Sequence, residues 1–179
     1  MSSMMKLRFG ILDYALALGM LCYAASSVIM AICLVRMAAP DELDFDLTGG
    51  GNLQAIRMTA MCITIWLCGF IAARYGKCRS LSASMALMTA GLAVCAFAPG
   101  YWMLIPGLVM VGFSDGMLEG LINPLIQDLH PGDSGRYLNF LNAFWSVGVL
   151  STMVIGGDLL SRHVHWRTLM LILAILGLI

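Results

Sequence analysis

Charged residues are scarce in this sequence. Only 11% of its 179 residues are Asp, Glu, Lys or Arg, whereas 60% are apolar. Soluble domains carry about 25% charged and about 45 to 50% apolar residues, so this composition could not cover the surface of a water-soluble fold. The ten basic and ten acidic residues give a net charge of zero. The sequence therefore has no basic stripe of the kind that binds nucleic acid.

Patterns typical of metal sites and disulfide frameworks are also lacking. The six cysteines show no CxxC spacing and do not cluster with histidine. His163 and His165 flank a short loop that offers no further metal ligands. We therefore predict no metal site and no cofactor, and we interpret the cysteines as small residues that face lipid or a neighbouring helix.

Long apolar runs make up most of the chain. Five of six runs are long enough to cross a hydrocarbon core of about 30 Å, whereas the sixth holds 12 residues and stops without a polar flank. The sequence predicts an all-α polytopic membrane protein, a single transmembrane bundle over residues 1–179, with its last helix cut short. The predicted helices cover about residues 9–35, 53–74, 81–98, 102–126, 138–160 and 168–179.

The distribution of charges predicts the orientation. Six cations fall on one side of the bundle and three on the other, so the positive-inside rule places the N-terminus in the cytoplasm of a bacterial-type inner or plasma membrane. The acidic segment 36–52 then forms an outer loop. The six cations are Lys6, Arg8, Arg74, Lys77, Arg79 and Arg136, and the three are Arg36, Arg162 and Arg167.

Arg57 and Asp13 lie inside predicted helices, each about one turn from an end. We expect Arg57 to extend toward the outer surface and Asp46, with its aliphatic stem in the apolar layer. We expect Asp13 to act as a surface anchor that is hydrated or paired with Arg8. Both interpretations keep the charges near water.

The fourth predicted helix carries a stripe of glycines with a period of four: Gly112, Gly116 and Gly120. Residues spaced by four lie on one face of a helix. Small residues at this spacing let a second membrane helix approach closely. We therefore assign the stripe to helix packing.

A second stripe on the same helix is polar: Asp115, Glu119 and Asn123. A carboxyl group at the centre of a membrane helix costs about 2.5 to 3.5 kcal/mol, so Glu119 is expected to face a cavity or a partner. It is either a proton or substrate site, or a neutral carboxyl bonded to a neighbouring helix. The same two roles stay open for Asp115, whereas Asn123 precedes Pro124 and is expected to orient a turn.

The fifth predicted helix adds Asn142 and Ser146 on one face. A hydrogen bond between helices and a contact with substrate are both consistent with this position of Asn142.

Three stretches resemble the N-terminal six-helix half of a major facilitator superfamily transporter. Residues 69–79 are similar to the cytoplasmic loop motif of that family, with Ala73 where the motif has Asp. Residues 118–125 and 139–148 are similar to the fourth and fifth helices of the fucose permease branch, and His165-Trp166-Arg167 resembles the start of the sixth helix. The residues that match the loop motif are Gly69, Arg74, Gly76, Lys77 and Arg79.

The resemblance implies a half made of two inverted three-helix repeats around a central solute site. It implies that Glu119 serves proton-coupled sugar uptake and that Asn142 faces the cavity. We place five residues on the expected substrate or proton pathway: Glu119, Asp115, Asn123, Asn142 and Trp145. Trp145 stands where the branch has an asparagine, and Ser26 or Ser27 where it has a carboxylate. The implied partners are the lipid bilayer, a small polar solute, a proton, and a missing C-terminal half or partner chain.

The leading functional hypothesis is solute transport by alternating access, without enzyme activity. A second hypothesis is a truncated or non-transporting half that pairs with another membrane chain. A third is a rhomboid-like membrane protease, with Ser114 in a Gly-Phe-Ser-Asp-Gly sequence as nucleophile. Asp115 interrupts the protease motif, and both candidate histidines precede the sixth helix instead of lying on it.

Overall fold

The computed structural model describes residues 9–177, so Lys6 and Arg8 lie outside the described part. Within it the chain is all-helical, which confirms the predicted all-α class. A π-helical turn, Thr152–Gly156, joins α5 to α6. The helices are α1 (Ile11–Met37), α2 (Leu47–Tyr75), α3 (Lys77–Ala96), α4 (Tyr101–Leu129), α5 (Ser134–Ser151), α6 (Gly157–Ser161) and α7 (Trp166–Leu176).

Among the described residues, five helical spans are long and apolar enough to cross a membrane. Four are α1 to α4, and the fifth runs without interruption from Ser134 to Ser161 through the π-helical turn. The apolar helix α7 has 11 described residues and is shorter than a span. Each predicted apolar segment thus overlaps a helical span of the described residues, and residues 178–179 of the sixth segment lie outside them. Helical structure suits such segments because lipid offers the backbone no hydrogen-bond partners.

The acidic loop is shorter than predicted. Segment 36–52 was expected to lie in water, but α1 continues to Met37 and α2 begins at Leu47. The three glycines at 49–51 are helical because Asp46 caps α2, accepting a hydrogen bond from the Gly49 backbone N–H at 2.7 Å. A carboxylate there also interacts favourably with the helix dipole. The loop therefore covers only residues 38–46.

Helix α4 is the centre of the bundle and packs against both α2 and α3. Helix α5 packs mainly against α1, and α7 lies against α3 and α1. Glycines occupy the closest approaches: a Cβ on Gly107 would meet the Gly91 carbonyl oxygen of α3, and one on Gly148 would meet the Leu21 carbonyl oxygen of α1. Such contacts matter because moving apolar surface from lipid to a neighbouring helix gives little free energy. Association of membrane helices therefore depends on close packing.

The glycine stripe of α4 faces α2 along its length. A Cβ on Gly112 would meet the Arg57 backbone, one on Gly116 the Met61 backbone, and one on Gly120 the Cys68 side chain. Backbone atoms cannot move aside as a flexible side chain can. Only glycine therefore permits this separation of α2 and α4.

Asp13 is not a hydrated anchor. It is 4% exposed, it accepts a hydrogen bond from the Gly10 backbone N–H, and its Oδ1 lies 2.8 Å from His130 Nε2. The His130 ring stacks on Tyr137 with ring centroids 3.5 Å apart. The start of α1 is thereby joined to the end of α4 and the start of α5, so Asp13 is a packing residue.

Glu42 joins the 38–46 loop to the start of α7. Trp166 Nε1 donates to its Oε2 at 3.1 Å, and His165 Nε2 lies 3.1 Å from its Oε1. Trp166 is fully buried, so its indole N–H requires such an acceptor. His165 stays the loop residue that was expected, but it also takes part in this contact.

Replacing Gly116 with Ala should destabilise the protein by about 1 to 3 kcal/mol, because the added methyl group would press on the α2 backbone. Gly19→Ala is the matched control, since its Cβ would meet nothing within 4 Å. Thermal unfolding in detergent measures both variants. Equal melting temperatures for the two variants would show that α2 and α4 are less tightly packed than described.

Candidate functional site

A cavity of about 340 Å³ lies between α1, α2, α4 and α5. Its polar lining contains four of the five residues that the sequence placed on a solute pathway: Glu119, Asn123, Asn142 and Trp145. Tyr23 adds a hydroxyl, and the rest of the lining is apolar, namely Met20, Met61, Leu118 and Ile122. A mostly apolar hollow with a few convergent polar groups is typical of a small-molecule site.

Helix periodicity explains why these side chains meet. Glu119 and Asn123 are one turn apart on α4, and Asn142 and Trp145 are one turn apart on α5. All four side chains are exposed on the open side of the described bundle, with Trp145 at 38%. Tyr23 of α1 lies beside Glu119. The cavity thus offers a carboxylate, two amides, a hydroxyl and an indole ring.

Asp115, the fifth predicted residue, does not line the cavity. It is fully buried and pairs with Arg57, whose Nε and Nη2 lie 3.0 Å and 2.5 Å from Asp115 Oδ2. Arg57 is 1% exposed, so the expectation that it extends to the outer surface is wrong. In lipid an arginine is stabilised by a nearby carboxylate, and Asp115 of α4 supplies it.

The same guanidinium reaches a third helix, because Arg57 Nη2 also donates to Ser27 Oγ of α1 at 2.9 Å. Among residues 9–177, Arg57 Nη1 and Asp115 Oδ1 have no hydrogen-bond partner. The pair therefore joins α1, α2 and α4 one helical turn from Glu119.

The loop-motif residues lie where α2 meets α3. Gly76 alone separates the two helices and has a φ of +87°, a conformation that side chains with a Cβ rarely adopt. Lys77 Nζ lies 2.5 Å from Asp128 Oδ2 and donates to the Pro124 carbonyl oxygen at 3.3 Å. Arg74 lies over the ring of Tyr75. The turn is therefore attached to the end of α4, just beyond the cavity.

The hydroxyl group of Ser114 is used in a hydrogen bond between two helices. It is fully buried and donates a hydrogen bond to the Ser84 carbonyl oxygen of α3 at 2.7 Å. A nucleophilic serine must instead be reachable by substrate and lie beside a base. Within residues 9–177, no three His, Cys, Asp or Glu side chains form a group that could hold a metal ion.

A family model described as Major Facilitator Superfamily matches residues 14–179. The match covers nearly the whole chain, and this chain belongs to the Major Facilitator Superfamily. It is therefore an integral membrane protein of a transporter family.

Three curated transporters are similar to parts of the chain. The MFS-type transporter ucsD of Acremonium sp is 28% identical over 164 residues, which cover 89% of this chain and 27% of that protein. Multidrug resistance protein B homolog of Mycobacterium tuberculosis is 29% identical over 122 residues, 68% of this chain and 22% of that protein. Plastidic glucose transporter 4 of Arabidopsis thaliana is 24% identical over 102 residues, which cover 56% of this chain and 19% of that protein.

The chain spans between 19% and 34% of the length of the curated relatives it matches. Their names refer to drug resistance and to glucose, so membership of the family does not define a solute.

The sequence contained one signal for the Arg57 and Asp115 pair. Each is a charge within an apolar helix, and the two signs are opposite. Such charges usually pair with one another inside a membrane bundle. A prediction that paired Arg57 with Asp115 instead of Asp46 would have given each of these two buried charges a partner of opposite sign.

Removing one partner of this ion pair should cost about 3 to 5 kcal/mol, because the other charge would be buried without compensation. We expect Asp115→Asn to destabilise the protein more than the double variant Arg57→Met/Asp115→Asn, which leaves neither charge. Unfolding by titration with SDS measures each free energy.

The exposed pair of Arg162 and Asp158 provides the control. Arg162→Met and Asp158→Asn should each change the free energy of unfolding by no more than about 1 kcal/mol. If the changes in free energy of unfolding for the two substitutions at Arg57 and Asp115 simply added up in the double variant, the two charges would not be energetically coupled.

Proposed function

We propose that this chain is the N-terminal half of a transporter that moves a small polar solute, with a sugar as the leading class, by alternating access. The observation that carries the proposal is the cavity in which Glu119, Asn123, Asn142 and Trp145 converge. Its volume of about 340 Å³ is within the range of small-molecule sites. The family membership and the glucose transporter among the relatives support it.

The chemistry of the lining fits a sugar. The carboxylate of Glu119 accepts hydrogen bonds from hydroxyl groups, and the amides of Asn123 and Asn142 both donate and accept them. The indole of Trp145 provides an apolar face and an N–H donor, which suits the mixed surface of a sugar ring. The similarity of residues 118–125 and 139–148 to the fucose permease branch favours the same class.

Glu119 is proposed as the proton-coupled group. A carboxyl inside the membrane carries a proton when neutral and releases it when the cavity opens to the other side of the membrane. The buried Arg57 and Asp115 pair, one turn away, cancels its own charge. Ionised Glu119 would then leave the local set of three side chains with a charge of −1, which one proton neutralises.

Alternating access in this superfamily requires two halves that rock around a central site. The four polar lining residues are exposed on one side of the bundle, where a second half would close the cavity. We propose that the N-terminus is cytoplasmic in a bacterial-type inner or plasma membrane, from the excess of cations at that end of the bundle.

Glu119→Gln in the natural full-length protein should lower proton-driven sugar accumulation at least roughly tenfold, because the amide of glutamine cannot take up and release the coupled proton. If Glu119 carries the proton, exchange of labelled for unlabelled sugar should continue without dependence on pH. Uptake into proteoliposomes measures both activities.

The control for this substitution is Asp158→Asn, which removes a carboxylate that pairs with Arg162 away from the cavity. Unchanged accumulation and pH dependence in Glu119→Gln would refute the assignment. Lack of uptake of any sugar by the unmodified protein would contradict sugar as the solute class, and lack of uptake of other small polar solutes as well would favour a non-transporting half that pairs with another chain.

Asn142→Ala should raise the KM for the solute about five- to tenfold and leave the maximal rate nearly unchanged, as expected for the loss of one hydrogen bond. Ser146→Ala is the matched control, because the Ser146 hydroxyl bonds to the Asn142 backbone carbonyl of its own helix and does not line the cavity. Concentration dependence of uptake distinguishes the two variants. The same KM in both would place Asn142 outside the solute site.

A further inference from the structure

A second hollow, of about 470 Å³, lies between α2, α3 and α4, apart from the cavity described above. Most of its wall is apolar. One end is polar, however, and includes Arg79, Tyr75 and Ser80. The apolar wall residues are Ile71, Ala83, Leu87, Phe113 and Met117. We refer to this hollow as the α2–α4 groove.

The length of the groove matches one leaflet of a bilayer. Along α2 it extends from Thr64 to Tyr75, which is about 16 Å at 1.5 Å per residue. Half of a hydrocarbon core is about 15 Å. An acyl chain that lies along the groove from its polar end would therefore reach the middle of the membrane.

The polar end has an excess of positive charge. Within residues 9–177, Arg74 and Arg79 form no ion pair with a carboxylate, whereas Lys77 is neutralised by Asp128. Both arginines are exposed. In the part of the chain that the structure describes, the α2–α3 turn therefore presents two cations without a carboxylate partner, and such cations at a membrane surface attract anionic lipid.

The backbone adds to this charge. Helix α3 begins at Lys77, and no side chain among the described residues caps its first turn. Free N–H groups at a helix N-terminus bind phosphate. Arg79 belongs to this first turn and adds a positive charge to it.

An unpartnered hydroxyl provides an independent observation. Ser80 is 4% exposed and lines the groove, and its Oγ has no hydrogen-bond partner among residues 9–177. By comparison, the neighbouring Ser84 hydroxyl donates to the Leu81 carbonyl oxygen. Buried hydroxyl groups nearly always have a partner, so the Ser80 hydroxyl is available to a polar ligand group at this end of the groove.

From these observations we propose that the α2–α4 groove binds an anionic phospholipid. Its phosphate lies at the N-terminus of α3, near Arg79 and Ser80, and one acyl chain occupies the apolar wall. Charge complementarity selects an anionic lipid over a zwitterionic one. The site is separate from the solute cavity, so this proposal does not depend on the transported solute.

Native mass spectrometry of the natural full-length protein tests this proposal, with dioleoyl phosphatidylglycerol and dioleoyl phosphatidylcholine as probes at equal concentration. The unmodified protein should retain phosphatidylglycerol at least about fivefold more tightly, and Arg79→Gln should reduce that preference about fivefold. Arg162→Gln removes one charge elsewhere and should leave the preference unchanged.

A second pair of variants tests the acyl chain site. Ala83→Phe fills the groove and should reduce phosphatidylglycerol binding, whereas Ala86→Phe adds the same ring to an exposed position of α3 outside the lining. Size-exclusion chromatography verifies that each variant is folded. The unmodified protein tests the lipid preference independently of any variant.

Three outcomes would overturn the proposal. One is equal retention of the two lipids by the unmodified protein, as expected if another segment of the natural protein covers the groove. Another is the same loss in Arg79→Gln and Arg162→Gln, which would indicate general charge attraction. The third is full competition by inorganic phosphate together with unchanged binding in Ala83→Phe, which would indicate a phosphate site without an acyl chain.

Discussion

The buried ion pair of Arg57 and Asp115 is the interaction on which the rest of this bundle depends. In lipid neither charge can be left alone, so the two helices that carry them must meet with these residues at the same depth. The pair therefore determines the register of α2 against α4. The hydrogen bond from Arg57 to Ser27 extends the same constraint to α1.

The glycine stripe and the ion pair both act where α4 packs against α2, but in different ways. The stripe permits a short distance between the two helix axes because Gly112, Gly116 and Gly120 have no side chain. A glycine face alone, however, would let α2 shift along α4. The ion pair is directional and permits one register only. Together they hold α4 in the orientation that exposes Glu119 to the cavity.

The polar stripe of α4 divides between two roles. Asp115 is buried in an ion pair because Arg57 of α2 reaches it. Glu119 and Asn123, one and two turns further along α4, are exposed and line the cavity. One sequence pattern thus supplies both a buried ion pair and a solute-facing wall.

The sequence was sufficient for features that depend on local composition. Apolar runs predicted the spans, and periodicity on α4 and α5 selected four residues that the structure brings to one cavity. It was not sufficient for features that depend on how distant helices meet. Arg57 and Asp115 are 58 residues apart, and Asp13 and His130 are 117 apart, so no local pattern relates their depths.

The early start of α2 was missed for a different reason. Three successive glycines lower helix propensity, and the Asp46 cap that offsets this cost is visible only once the chain is folded.

The 58-residue separation of the ion pair also has a consequence for biosynthesis. At about 5 to 20 residues per second, the ribosome adds Asp115 roughly 3 to 12 seconds after Arg57. For that interval α2 has no carboxylate from α4 to pair with, and the long arginine side chain must remain near the headgroups or in the insertion machinery. Completion of α4 then allows α2 to settle at its final depth, so membrane insertion of these two helices is a coupled event.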